Sequence, residues 1–146
     1  MHSITLRFLA AQGTVSPAGR IHGGTILRWV DEAGQACASG WARGHCVTAF
    51  MGGASFEHAI HVGDLVEVHA RLVFTHLHSM SVMLEVRSAP VYAPEMRVVA
   101  RCCAEYDALD PEGNRREVDH WSPETPGDIA LAQRLKTHID AARAAL

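Results

Sequence analysis

Residues 25–42 read TILRWVDEAGQACASGWA. Ile26, Val30, Ala33 and Cys37 recur at three- and four-residue spacing, and Trp29 and Trp41 widen the stripe, so most of the circumference is apolar. A helix of that kind has to be buried. On both sides of it the pattern is strand-like. Upstream, residues 4–8 make a short strand candidate, followed by the Gly- and Pro-rich loop AQGTVSPAGRIHGG at 11–24. Downstream, Val66, Val68, Ala70, Leu72 and Phe74 fall on one face of a strand over 64–76, and Met80, Val82, Leu84 and Val86 do the same over 79–88. Over 97–109, Val98, Ala100, Cys102, Ala104 and Tyr106 alternate with charged residues. Residues 46–58 add a fourth downstream strand, with Gly52-Gly53 marking a bulge.

Strands with one polar face each predict an antiparallel sheet with a single side to bury. One apolar helix between a first strand and four later ones then has an economical solution: a sheet of about five strands curls round the central helix. This is the hotdog fold, of the α+β class. DPEGN at 110–114 turns the chain. A second helix follows, with Thr125 as N-cap, Pro126 in the first helical position and Asp128 three residues after the cap, then Ile129, Ala132, Leu135, Ile139 and Ala142. The organisation expected is one hotdog domain over 1–120 and a C-terminal helical extension over 121–146, packed on the domain or on a partner protomer. Open sheet edges favour the pairing of two protomers into one continuous sheet.

At 146 residues the chain holds one domain's worth of core. Thirteen Lys and Arg against sixteen Asp and Glu leave a net charge of −3, without the basic patch that nucleic acid demands. No apolar run approaches the ~20 residues that span a bilayer, and MHSITLRFLAAQG lacks a charged leader before a long apolar core. A soluble cytoplasmic protein is expected, with no nucleic-acid or membrane partner. The four cysteines, at 37, 46, 102 and 103, lack metal-ligand spacing, and Cys102 and Cys103 point to opposite faces of one strand, so reduced thiols are expected.

The start of the central helix carries the first chemistry. Its leading N–H groups have no intrahelical partner and carry the positive end of the dipole, and Gly23 and Gly24 let a ligand oxygen approach the backbone. That describes a carbonyl or oxyanion site. A flexible lead-in in which glycine only turns the chain fits the pair equally well. Asp31 has Leu27, Arg28, Gly34, Gln35 and Ala38 on its face, small or apolar on one flank, whereas Glu32 has Arg28 four residues before it, an ordinary surface pair. An acid beside a buried stripe is a candidate base of adjusted acidity, and a structural or solvent-facing carboxylate fits the same spacing. Eight residues of helix separate Gly23 from Asp31 by ~12 Å, too far for one ester carbonyl to touch both. A site using both draws them from two helices, as antiparallel packing of two protomers would allow.

The run AGRIHGGTILRWVDEAG, residues 18–34, resembles the helix-start motif of the hotdog-fold acyl-CoA thioesterases, the brain-type acyl-CoA hydrolase and YciA-like family. Val47-Thr48, Val62-Gly63-Asp64, the turn before Ser79-Met80-Ser81 and Asp110-Pro111-Glu112-Gly113 fall in the family's order, so the resemblance covers most of the chain. It implies hydrolysis of an acyl-CoA thioester at a homodimer interface, without cofactor or metal. The acid matching Asp31 acts as general base or nucleophile, and the helix start matching Gly23 and Gly24 polarises the carbonyl. It also points to a trimer of dimers. Where the family has an Asn in an N-x-x-G pattern, this chain reads Ser16-Pro17-Ala18-Gly19, and a hydroxyl offers one donor where an amide offers two. Ser16 is therefore assigned a positioning role beside the catalytic Asp31, Gly23 and Gly24.

His22, Thr48 and Ser79 are the expected substrate-binding residues. Thr48 reads as a hydrogen-bonder near Asp31 or as an ordinary strand threonine, and Ser79 as a CoA neighbour or a hairpin tie. An apolar tunnel between helix and sheet, with Phe50, Met51, Phe56 and Met83 as candidate lining, would hold the acyl chain, although such residues are more often plain core. Ten histidines are scattered, and neither His76 with His78 nor His58 with His61 is completed by further ligands. A G-x-S-x-G turn is absent, which disfavours a Ser-His-Asp hydrolase. Gly63 to His69, GDLVEVH, lacks the Asn-Pro of a hotdog hydratase. A non-catalytic acyl-CoA-binding module, with Ser16 as the lesion, is the alternative from a different class.

Overall fold

The computed structural model describes residues 2–11 and 15–146. Residues 12–14 of the expected upstream loop lie outside the described residues. In chain order the elements are β1 (Ser3–Leu9), α1 (Gly23–Ala42), β2 (Cys46–Phe56), β3 (Leu65–Thr75), β4 (Ser79–Ala89), β5 (Arg97–Ala108) and α2 (Pro126–Ala144). The strands form one antiparallel sheet in the order β1-β3-β4-β5-β2. The curled sheet wraps α1, which packs against all five strands, the hotdog arrangement anticipated from the pattern.

The core lies where period-two and helical patterns face each other. Val66, Val68, Ala70 and Leu72 of β3 and Met80, Val82, Leu84 and Val86 of β4 have no accessible surface, and Ile26, Trp29, Val30, Ala33, Cys37 and Ala38 of α1 fill the concavity above them. Small residues on α1 let the helix sit close to the sheet. Phe8 of β1 meets Trp29 edge to face at 4.9 Å between ring centroids. At its C-terminal end, α1 is closed by Arg43 in the left-handed region at φ 57°, its N–H donating to Ser39 O at 2.8 Å.

Three expectations are displaced, two of them by irregularities in strand register. The register of β3 with β4 shifts between Leu72 and Phe74, so Phe74 leaves the face of Leu72 and packs, with Val73, on the opposite side of the sheet. A second shift, between Val86 and Arg87, makes Val99 rather than Val98 the buried residue at the start of β5. A bulge reverses the alternation beyond it, which period-two counting cannot register. The Gly52-Gly53 irregularity does occur in β2, with Gly53 at φ 65°.

The third correction concerns the second face of the sheet, which is not left wholly polar. Helix α2 crosses it, burying Leu135 and Ile139 with Val73 and Cys103 and with partly buried Phe50, Phe74 and Met83. Phe50 and Met83 therefore lie on the side of the sheet away from α1, outside any tunnel beside that helix. The start of α2 is built as its sequence predicts: Thr125 Oγ1 accepts the Asp128 N–H at 3.1 Å, and Pro126 follows the cap. Asp128 pairs with Arg71 of β3. Towards the other end, Arg143 reaches Glu105 of β5 at 2.6 Å and lies over the Phe50 ring. Two ion pairs and an apolar centre thus hold α2 across the sheet.

All four cysteines are free and buried, with Cys102 in the α1-side core and Cys103 under α2. Val62-Gly63-Asp64 and Asp110-Pro111-Glu112-Gly113 are turns. Asp64 Oδ2 accepts the His61 N–H at 2.9 Å, and Asp110 Oδ1 accepts those of Glu112 and Asn114 at 3.0 and 2.8 Å. Gly63 and Gly113 supply the positive φ angles both turns require.

Candidate active site

Asp31 sits in the third turn of α1, half-buried beside the apolar stripe. Its Oδ1 accepts two hydroxyl hydrogen bonds, from Thr48 at 2.7 Å and from Tyr106 at 3.2 Å. Thr48 Oγ1 in turn accepts from Gln35 Nε2 at 3.2 Å. Because an amide nitrogen and a carboxylate oxygen fix the donor and acceptor ends, the Thr48 proton points to Asp31. Among the described residues nothing donates to Oδ2. The result is a carboxylate with one oxygen held by two donors and the other without a donor among the described residues.

The elements explain the convergence. Thr48 lies near the start of β2, the last strand of the sheet order, and pairs with Tyr106 of β5. Gln35, one helical turn after Asp31, completes the chain of donors. Burial pushes the Tyr106 phenol up from its ordinary value, and the adjacent Asp31 charge adds to the rise, which favours the protonated hydroxyl that donates to Asp31.

Gly23 is the first residue of α1, and His22 is its N-cap with extended backbone (φ −61°, ψ 141°) and no side-chain capping hydrogen bond. The leading N–H groups of the helix are thus uncapped by the residue that usually serves them. Beside them lies a cleft of about 300 Å³ lined by residues that include Arg20, Gly23, Ile26, Phe56, His58 and Ile60. The Phe56 ring is 3.8 Å from where a Cβ on Gly23 would stand, and Phe56 is 47% exposed, leaving an apolar wall at the mouth.

The other sequence candidates fall in different places. Ser16 lies in a backbone turn, its N–H donating to Arg20 O at 2.6 Å and its carbonyl accepting from Gly19. No hydrogen bond joins its side chain to Asp31 among the described residues. Ser79 pairs with Asp107 and lines a polar cleft with His76, Glu105, Asp107, Arg115, Asp140 and Arg143, at the face crossed by α2. Within one protomer the structure brings Thr48 to Asp31 and brings neither Gly23, His22, Ser16 nor Ser79. Arg28 and Glu32 form the expected exposed pair at 3.7 Å.

Sequence reasoning placed Tyr106 only in the core. The missed signal was Gly34, a glycine inside a helical pattern, which costs roughly 1 kcal/mol against alanine and so marks a close approach. A Cβ there would fall 1.9 Å from the Tyr106 hydroxyl.

The family model described as "Thioesterase superfamily" matches residues 18–93. The Escherichia coli acyl-CoA thioester hydrolase YciA is 31% identical over 118 residues, 79% of this chain and 89% of that protein. The hexameric thioesterase y2039 of Yersinia pestis superposes with a TM-score of 0.75 at 28% identity, covering 80% of this chain and 94% of the other. An acyl-CoA hydrolase of Staphylococcus aureus, solved in complex with butyryl-CoA and CoA, superposes with a TM-score of 0.87 at 22% identity over 97% of this chain and 88% of that one, a likeness of fold.

Proposed function

The chain belongs to the thioesterase superfamily, with the hotdog fold, and from that we propose that it hydrolyses acyl-CoA thioesters to free acid and CoA with Asp31 as its reacting carboxylate. What carries the proposal is the state of that carboxylate. Oδ1 is tied to Thr48 and Tyr106, and Oδ2 has no donor among the described residues. As a base, Oδ2 takes a proton from water as the oxygen adds to the thioester carbon, and the C–S bond then breaks to release CoA. As a nucleophile, it adds to the thioester carbon and the C–S bond breaks to expel CoA, leaving a mixed anhydride that water cleaves to free acid and the restored carboxylate. Either route builds charge on the carbonyl oxygen, and the uncapped N–H groups at Gly23 and Gly24 are suited to receive it. The identity with enzymes named acyl-CoA thioester hydrolases supports CoA esters as the substrate class.

Since ~12 Å of helix separates Gly23 from Asp31, the complete site is composite. One protomer supplies Asp31 and Thr48, and its partner supplies the helix start. The hexameric state of similar thioesterases is compatible with paired protomers assembled as a trimer of dimers. His22 and the cleft at Phe56 then lie on the partner's side of the thioester, and Ser16 stands near the carbonyl in place of the family's Asn.

The test is thiol release from acyl-CoAs of several chain lengths, followed with a thiol reagent, by the wild type and by Asp31→Asn. Hydrolysis that falls about a hundredfold or more in the variant supports the assignment. Equal rates would show that Asp31 is not the reacting group. Tight acyl-CoA binding with no thiol released by the wild type would instead establish the binding-module alternative, to which the Ser16 substitution points. Undiminished turnover by a monomeric species would rule out the composite site.

A further inference from the structure

We infer that Tyr106 is a positioning residue for Asp31, and that Gly34 is glycine to admit its hydroxyl. The inference rests on the catalytic reading of Asp31 given above.

Tyr106 has no accessible surface and stands on the core face of β5, in a row with buried Ala104 and Cys102. A phenylalanine would satisfy that packing. The hydroxyl is a polar group carried into the core, and such a group is costly unless it is bonded. It donates to Asp31 Oδ1 at 3.2 Å. The backbone was shaped to permit this contact. At Gly34 a Cβ would meet Tyr106 Oη at 1.9 Å, Cζ at 2.6 Å and Cε2 at 2.8 Å, distances at which the ring would have to move. Helix α1 thus carries a glycine in its interior, against its own propensity, at the point where the phenol passes to reach the carboxylate one turn earlier.

The consequence is geometric. Thr48 approaches Oδ1 from β2 and Tyr106 approaches the same atom from β5. Two donors from different strands fix the rotation of the carboxyl group, where a single donor would leave it free to exchange its oxygens. Oδ2 is thereby held as the atom that faces substrate. A group held in register before substrate arrives need not be ordered during the reaction, and the benefit falls on the chemical step rather than on binding.

Tyr106→Phe keeps the ring and removes the donor. Expected are a fall in kcat of about fivefold to tenfold with KM within about twofold, and a thermal midpoint close to the wild type. Gly34→Ala, which displaces the ring, should lower kcat at least as far, and adding Tyr106→Phe to it should cost little more. A wild-type enzyme that turns over and a Tyr106→Phe variant with unchanged kcat would overturn this proposal alone. A change confined to the thermal midpoint, with kcat intact, would assign the hydroxyl a purely structural role and also overturn it. If the wild type releases no thiol, the failure lies with the catalytic reading. Should Gly34→Ala not fold, Tyr106→Phe decides by itself.

Discussion

Thr48 and Tyr106 face each other across β2 and β5 as a register pair, and their hydroxyls end on the same carboxylate oxygen of α1. A strand pair with a helix laid across it has become a clamp. The sheet supplies the rigid part, since β5 is hydrogen-bonded on both sides, to β4 and to β2. The helix supplies the carboxylate on which both hydroxyls end. Sites whose supporting groups sit on regular elements hold their geometry better than sites on loops.

Thr48 makes the shorter of the two bonds, at 2.7 Å, and it is the one backed by Gln35. Thr48→Val conserves the shape and removes the donor. A fall in kcat of about tenfold to a hundredfold, with KM nearly unchanged, is expected in steady-state hydrolysis of an acyl-CoA, because a hydrogen bond to a charged group is worth about 1.5–3 kcal/mol. An unaltered kcat would leave Thr48 as a strand residue only.

Ile139 is 1% exposed and lies where α2 meets the outer face of the sheet. Ile139→Ala should lower unfolding free energy by about 2–4 kcal/mol, read from denaturant midpoints, through lost burial and the cavity left behind. The α1-side core is a separate cluster, so the variant should retain a native-like kcat if it stays folded at the assay temperature. A stability loss below about 0.5 kcal/mol would mean that α2 does not dock on this face in solution.

Burial raises all four thiols, with Cys37 and Cys102 pushed up to about 11 from 9.0. An acid whose pKa is higher in the folded state keeps its proton there while the unfolded chain loses it. The associated stability is complete below pH about 9 and is lost as pH rises through about 11. Denaturant midpoints should decline across that window, and less steeply in a Cys37→Ala, Cys102→Ala double variant. At pH 8 the native protein should react slowly with a thiol reagent and the denatured protein with all four equivalents. Rapid modification of the native chain at that pH would contradict the burial of these groups.

Much of this architecture was legible in the chain because its signals are local. The apolar stripe of α1, the alternation in β4 and the cap at Thr125 each involve residues a few positions apart, and each element formed as its pattern required. Asp31 stood out for the same reason, as an acid on the flank of a buried helix, and Thr48 was readable as its neighbour through the resemblance. Phe74 and Val98 misled because a bulge inserts one residue and inverts every face after it.

The amino-acid sequence by itself determined that a buried helix would be wrapped by an antiparallel sheet, since hydrophobic periodicity leaves that helix no other cover. Only the tertiary structure decided which groups meet on Asp31 and that α2 closes the second face. Tyr106 lies 75 positions from Asp31, and its side chain occupies a core-facing place that any large apolar residue would also suit. Periodicity reports which side a residue faces. What its terminal atom touches depends on the register of two strands, the depth of a helix above them, and the absence of one methyl group at Gly34.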